Sequence, residues 1–94
     1  MLFRSEVEEA VAYFDEQREG LGERFEQDLS DTVTFVIERP LAGKPLSKLV
    51  RKFRLHTFSY NVIHAIDANE IVIIAVAHHR RRPGYWRNRL GMLR

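Results

Sequence analysis

The chain has 94 residues, with 15 Lys+Arg against 13 Asp+Glu, enough for one compact domain and too few for two separate cores. Residues 1–40 carry four basic and eleven acidic side chains, a net of −7, whereas residues 41–94 carry eleven basic and two acidic ones, a net of +9. The absence of cysteine excludes a disulfide framework and thiolate chemistry, and 45% hydrophobic residues exclude a disordered polycation.

The N-terminus turns acidic by Glu6 and offers no apolar segment of signal-peptide length. Ser5 followed by Glu8 forms a capping-box pattern. Val7, Ala10 or Val11, and Phe14 then recur at helical spacing, which predicts a helix starting near residue 5. A strand at Leu2–Arg4 is conceivable but very short. Gly20-Leu21-Gly22 reads as a tight corner, Gly20 being suited to the left-handed C-cap position. A second helix is expected from about Gly22 to Glu38, with Phe25, Leu29, Val33 and Val36 on one stripe, ended by Pro40. Together these make an antiparallel helical hairpin over about 5–38. Leu2, Phe3 and Tyr13 are expected to cap the ends of the core.

From Leu41 to Lys48 the chain reads as a loop punctuated by Gly43 and Pro45. The period then changes to two: Arg51, Phe53 and Leu55 share one strand face, and Lys52, Arg54 and His56 the other. Tyr60–Ile66 and Ile71–Ala77 are the next two strands, joined through Asp67-Ala68-Asn69-Glu70 as a hairpin. Ile71–Ala77 is apolar on both faces, which predicts a central strand. Its seven residues fall far short of the ~20 of a membrane-spanning helix, so the expectation is a cytoplasmic protein with no membrane partner. The fold class predicted is α+β, one domain over 1–94, with a helical hairpin packed on a small, mostly antiparallel sheet and a basic C-terminal arm in the region 49–94.

The functional signal is concentrated in Arg80-Arg81-Arg82-Pro83-Gly84-Tyr85-Trp86. Arginine beside aromatic rings can hold a phosphate or carboxylate and stack on a base or a partner side chain. If the strand carrying Arg51, Lys52 and Arg54 neighboured the last strand, the two basic sets would merge into one patch for nucleic acid or an acidic protein segment. Trp86 could equally be a core plug. The acidic residues of the first half read mostly as solvated helix faces, with Glu8 and Glu9 as possible supports if they faced the patch. His78 and His79, adjacent on an extended chain, should point to opposite faces. With no nearby carboxylate and no helical His pair, no metal and no cofactor are expected. Acid–base chemistry by His79 or His78 beside an arginine is the more credible role for histidine.

Two stretches resemble a known family. Residues 8–25, EEAVAYFDEQREGLGERF, are similar to the first helix and turn of ParE-like toxins of the RelE/ParE superfamily, through Tyr13, Gly20, Leu21, Gly22 and Phe25. Residues 51–86 resemble that family's strand region, ending in the H-x-R-R-x-P-x-x-W pattern at His78, Arg80, Arg81, Pro83 and Trp86. Ser59 departs from the proline frequent before the tyrosine here numbered Tyr60, and His64 stands where tyrosine is common. The resemblance implies the toxin of a type II toxin–antitoxin (plasmid stabilisation) module, held inactive by a cognate antitoxin and directed at DNA gyrase. On that reading Arg51, Lys52, Arg54, Arg80, Arg81, Arg82, Tyr85 and Trp86 are the target or antitoxin contacts. The RelE branch of the superfamily implies an alternative, a ribosome-dependent mRNA endonuclease, with His79, Arg81 and Tyr85 as catalytic candidates and the ribosome and mRNA as target. A third possibility is an inactive relative that only binds its antitoxin.

Overall fold

The computed structural model describes residues 2–92. Two helices, α1 (Leu2–Gln17) and α2 (Leu21–Glu38), precede four strands: β1 (Lys44–Pro45), β2 (Val50–Arg54), β3 (Tyr60–Asp67) and β4 (Glu70–His78). A 3-10 helix, Arg87–Met92, follows. The strands form one antiparallel sheet in the order β1-β2-β3-β4, so the α+β architecture of a helical hairpin on a small sheet is the one observed.

The first helix begins a turn before the Ser5 cap that the sequence predicts, and residues 2–4 are helix rather than strand. Phe3 and Val7 both pack into the core beneath the helices, and that burial outweighs the local capping preference of Ser5, which stays exposed inside the helix. Tyr13 does not cap the core; it is 56% exposed.

The corner between the helices rests on two glycines. Gly20 adopts φ 86°, the left-handed region. Gly22 serves close approach: its N–H donates to Asp15 Oδ1 at 2.8 Å, and a Cβ there would lie 2.7 Å from the Val11 carbonyl oxygen. The start of α2 therefore sits directly on α1.

Both faces of the sheet are covered. Under the helices, Ala10, Phe25, Leu55, Val62 and Val76 form a buried cluster, where Phe14, Phe25, Phe58 and Tyr60 meet at centroid distances of 4.8 to 6.0 Å. On the other face Trp86, 5% exposed, packs with Val50, Ile63, Ala65, Ile74, Ala75 and Ala77. The indole is thus a core plug carried by the C-terminal arm. A register shift in β4 opposite Ile63 and His64 makes Ile74 an extra residue, which puts Ile74 and Ala75 consecutively against the arm.

Three expectations about the strands need correction. Residues 41–48 are not all loop, because β1 pairs Lys44 with Lys52 and Pro45 with Arg51. Strand β4 is an edge strand, not a central one; its two apolar faces are explained by helices on one side and the Trp86 arm on the other. The β3–β4 turn is tighter than four residues, with Ala68 at φ 47° and Asn69 at φ 73°, a two-residue hairpin loop of the primed kind.

Asp28 holds the β2–β3 connection. Its carboxylate accepts from the backbone N–H groups of His56 (3.1 Å), Thr57 (2.8 Å) and Phe58 (3.1 Å). His64 is fully buried; its Nε2–H donates to the Pro40 carbonyl at 2.9 Å, tying the end of α2 to β3.

Replacing Gly22 by Ala forces a Cβ against the Val11 carbonyl and is expected to lower the unfolding free energy by about 1–3 kcal/mol. Gly91→Ala, at a position where a Cβ meets nothing within 4 Å, should change it little. Urea titrations of the two variants beside the parent chain test the difference.

Candidate functional site

The last strand ends at His78, and the turn at His79-Arg80 lets the chain leave the sheet. His78 and His79 do not point to opposite faces as an extended chain would require. Their rings lie 4.5 Å apart, because His79 belongs to the turn. His78 Nδ1 accepts from the Arg80 N–H at 3.1 Å, and its ring stands edge-on to Tyr60. Partial burial, with His79 and Arg80 close by, holds its pKa below the usual 6.5. His79 Nδ1–H donates to the Ser59 carbonyl at 3.3 Å.

Beyond the turn, the arm folds back along the free edge of β4 and meets α1 there. Glu6, a residue the sequence did not single out, is the centre of this contact. Its Oε1 accepts from the Val76 N–H and from Arg89, each at 3.0 Å, and its Oε2 accepts from the Tyr85 hydroxyl. Arg89 also donates to the Ile74 carbonyl at 3.0 Å. The side chains of Arg89 and Glu6 are only 14% and 10% exposed. Two outward backbone groups of β4 are thereby satisfied by a carboxylate and a guanidinium in place of a neighbouring strand. Arg81 lies over the Tyr85 ring at 3.9 Å, with Arg89 at 5.2 Å. Burial and the hydrogen bond to Glu6 push the Tyr85 phenol far above its usual pKa of 10.0.

The basic residues fall into two groups that do not merge, since β3 separates β2 from β4. Arg51 lies on the helix side, donating to the carbonyls of Leu41 (2.8 Å) and Gly43 (3.2 Å), and so secures the loop before β1. Lys52 and Arg54 face the other way. With Lys44, Asn61 and His79 they line an open depression of about 460 Å³. Lys44 stands directly opposite Lys52 across the ladder, a like-charge pairing that an anion in the depression would relieve. Arg80 and Arg82 are exposed on the turn. Arg81 and Tyr85 are together with Glu6 at the β4 edge, while His79 belongs to the depression on the β2 side, so the trio His79, Arg81 and Tyr85 is not gathered at one point. Of the two glutamates considered from sequence, Glu8 is simply exposed. Glu9 lines a shallow cleft of about 280 Å³ with Glu6, Tyr13, Tyr60, His78 and Arg81.

Among the described residues no group of three or more His, Cys, Asp or Glu is arranged to hold a metal ion, and no helix is long and apolar enough to cross a membrane.

The fold and this arrangement of a basic turn, a stacked Arg–Tyr pair and a buried tryptophan describe a small α+β protein, a helical hairpin on an antiparallel sheet with an exposed basic turn. Residues 2–83 match the family model of the ParE toxin of the type II toxin–antitoxin system parDE. The chain belongs to that family. Neither the curated proteins nor the solved structures provide a match.

Removing the Glu6 carboxylate leaves Arg89 and the Val76 N–H without their acceptor, so Glu6→Ala is expected to cost about 3–5 kcal/mol of stability. Alkaline pH provides a milder probe of the same contact. Tyr85 keeps its proton in the folded chain but loses it near pH 10 when unfolded. Its contribution is therefore complete below pH 10 and declines as pH rises above it. The drop in unfolding midpoint between pH 8 and pH 11 should be smaller in Tyr85→Phe than in the parent chain, as urea titrations at the two pH values would register.

Proposed function

We propose that this protein is the toxin of a type II module, acts by binding DNA gyrase, and is neutralised by a cognate antitoxin. The observation that carries the reading is the ParE toxin family match over residues 2–83. The exposed Arg80 and Arg82, with Arg81 stacked on Tyr85, supply the charged contact surface; arginine provides charge-assisted bonds to acidic groups of a partner. Trp86 drops out of the contact set because it is buried against the sheet, and Arg51 drops out because it ties down its own loop. Tyr85 acts through position, holding Arg81 and the arm in place.

A second reading, ribosome-dependent mRNA cleavage, is favoured by one observation: Lys44, Lys52, Arg54 and His79 line a depression that contains no carboxylate. Such a site could hold a phosphate. Against it stands Tyr85, whose hydroxyl is committed to Glu6 on the far edge of β4 and whose raised pKa makes it a poor proton carrier near neutrality.

Production of the chain in cells, followed by a gyrase supercoiling assay and mapping of RNA 5′ ends, separates the two. The gyrase reading expects blocked supercoiling with an unchanged RNA end profile; codon-linked RNA cuts with normal supercoiling would defeat it. Arg80→Glu combined with Arg82→Glu should leave the unfolding midpoint near that of the parent and weaken binding to gyrase by roughly tenfold or more, equivalent to about 1.4 kcal/mol.

A further inference from the structure

The free edge of β4 is treated differently along its two halves. Toward its C-terminal end the outward groups are occupied: Ile74 C=O by Arg89, Val76 N–H by Glu6, and His78 C=O by the Arg81 N–H of the turn. Among the described residues the first half has no such cover. Ile66 donates its N–H away from β4, to Leu49, and Leu55 donates to the Tyr60 carbonyl across the β2–β3 ladder. Counting by alternation from these bonds through the β3–β4 register turns the N–H and C=O of Ile71 and Ile73 outward. Among the described residues nothing bonds to them. The segment Ile71-Val72-Ile73 is half-buried and wholly β-branched. It carries no lysine, proline or inward charge of the kind that discourages edge pairing.

We propose that this half-edge is an interface between two copies of the chain, pairing β4 antiparallel to β4 about a two-fold axis through Val72. The register follows from the hydrogen-bonding pattern itself. With Val72 opposite its own symmetry mate, Ile71 of each copy stands opposite Ile73 of the other. Those are the residues with free outward groups, so each such pair exchanges both of its bonds. Val72 faces Val72 as a non-hydrogen-bonded pair, with side chains on one face at close range. The same register sets Glu70, exposed and near the start of the strand, opposite Ile74 of the second copy. The Ile74 carbonyl is held by Arg89, so a carboxylate arrives beside a guanidinium on each side of the axis. The contact stops where the Glu6–Arg89 cover begins, which limits the register to this one.

The described residues of helix α1 leave room for the second copy. It is anchored to β4 through Glu6 at Val76. The stretch from Glu6 back to Leu2 spans only about 6 Å of helix, whereas Val76 to Val72 spans about 13 Å of strand. The described part of the helix, back to Leu2, therefore stops short of the level of the axis, and the two α1 helices run away from each other. The result is a continuous sheet through both copies with the helical hairpins on one side. A contact this short belongs with weak, concentration-dependent interfaces.

Because the chain has no cysteine, a single introduced thiol reports the register. Under mild oxidation Val72→Cys should form a disulfide-linked dimer at least tenfold faster than Ile71→Cys, Ile73→Cys or the loop-tip control Asn69→Cys. Sedimentation velocity should show the parent chain shifting from monomer toward dimer as its concentration rises. Ile71→Pro, which removes an N–H the monomer does not use, should abolish the shift while retaining the parent's unfolding midpoint within a few degrees. Glu70→Arg, at an exposed position, should weaken the dimer without affecting the monomer. A chain that stays monomeric at every concentration, or cross-linking that is equal at positions 69, 71, 72 and 73, would overturn the proposal. So would a monomeric chain whose edge instead takes up an added β-strand peptide in a manner that Ile71→Pro prevents.

Discussion

The carboxylate of Glu6 is the interaction on which the rest of the molecule is arranged. It lies on the first helix, yet it satisfies a backbone amide of the last strand, the guanidinium of Arg89 and the hydroxyl of Tyr85. A buried carboxylate is tolerable only with such a complete set of donors. With them, it joins the helical layer, the sheet edge and the C-terminal arm at one point. The arm in turn delivers Trp86 to the face of the sheet opposite the helices, so the buried cluster there depends on a polar contact outside it. The two nets of opposite charge are therefore not simply two repelled or attracted layers. One acidic residue of the helical half is drawn out of the solvated face and spent inside the basic half.

Much of the fold was legible because its elements follow period and punctuation. The stripe of Phe25, Leu29, Val33 and Val36, the corner at Gly20–Gly22 and the hairpin around Asn69 all express local rules that need no knowledge of neighbours. What escaped depended on tertiary partners. The start of α1 is set by where Phe3 and Val7 find a core, not by Ser5. The rank of β4 as an edge strand could not be read from Ile71–Ala77, because a strand covered on both faces looks the same whether or not a further strand lies beside it. The candidate site divides the same way. The Arg80–Trp86 cluster stands out in the sequence by composition. Glu6, Asp28 and Arg89 do not, since a glutamate, an aspartate and an arginine among thirty per cent charged residues look alike until a buried donor or acceptor selects them.

On the proposed reading, electrostatics and function meet at the C-terminal turn. Arg81 is held over Tyr85 while Arg80 and Arg82 are left in solvent, so three consecutive arginines differ in freedom. The free pair suits long-range attraction of an acidic surface, which governs how fast partners meet. The held one suits a fixed geometry once they have met. On the other side of β3, Lys44 and Lys52 face each other across a ladder, an arrangement unfavourable in the isolated chain and improved by any bound anion.

The Glu6 contacts also bear on the order in which the molecule is completed. They join residues separated by 79 positions for Tyr85 and 83 for Arg89 in a chain of 94. A loop of that span closes most of these residues, and such long-range contacts are entropically late. During synthesis the helical hairpin and the strands can emerge and pair while the arm is still being added. Only when Arg89 has appeared can the edge of β4 be sealed and Trp86 held on the sheet. The finished surface around Arg80–Arg82 is thus acquired after the helical hairpin and the strands have paired.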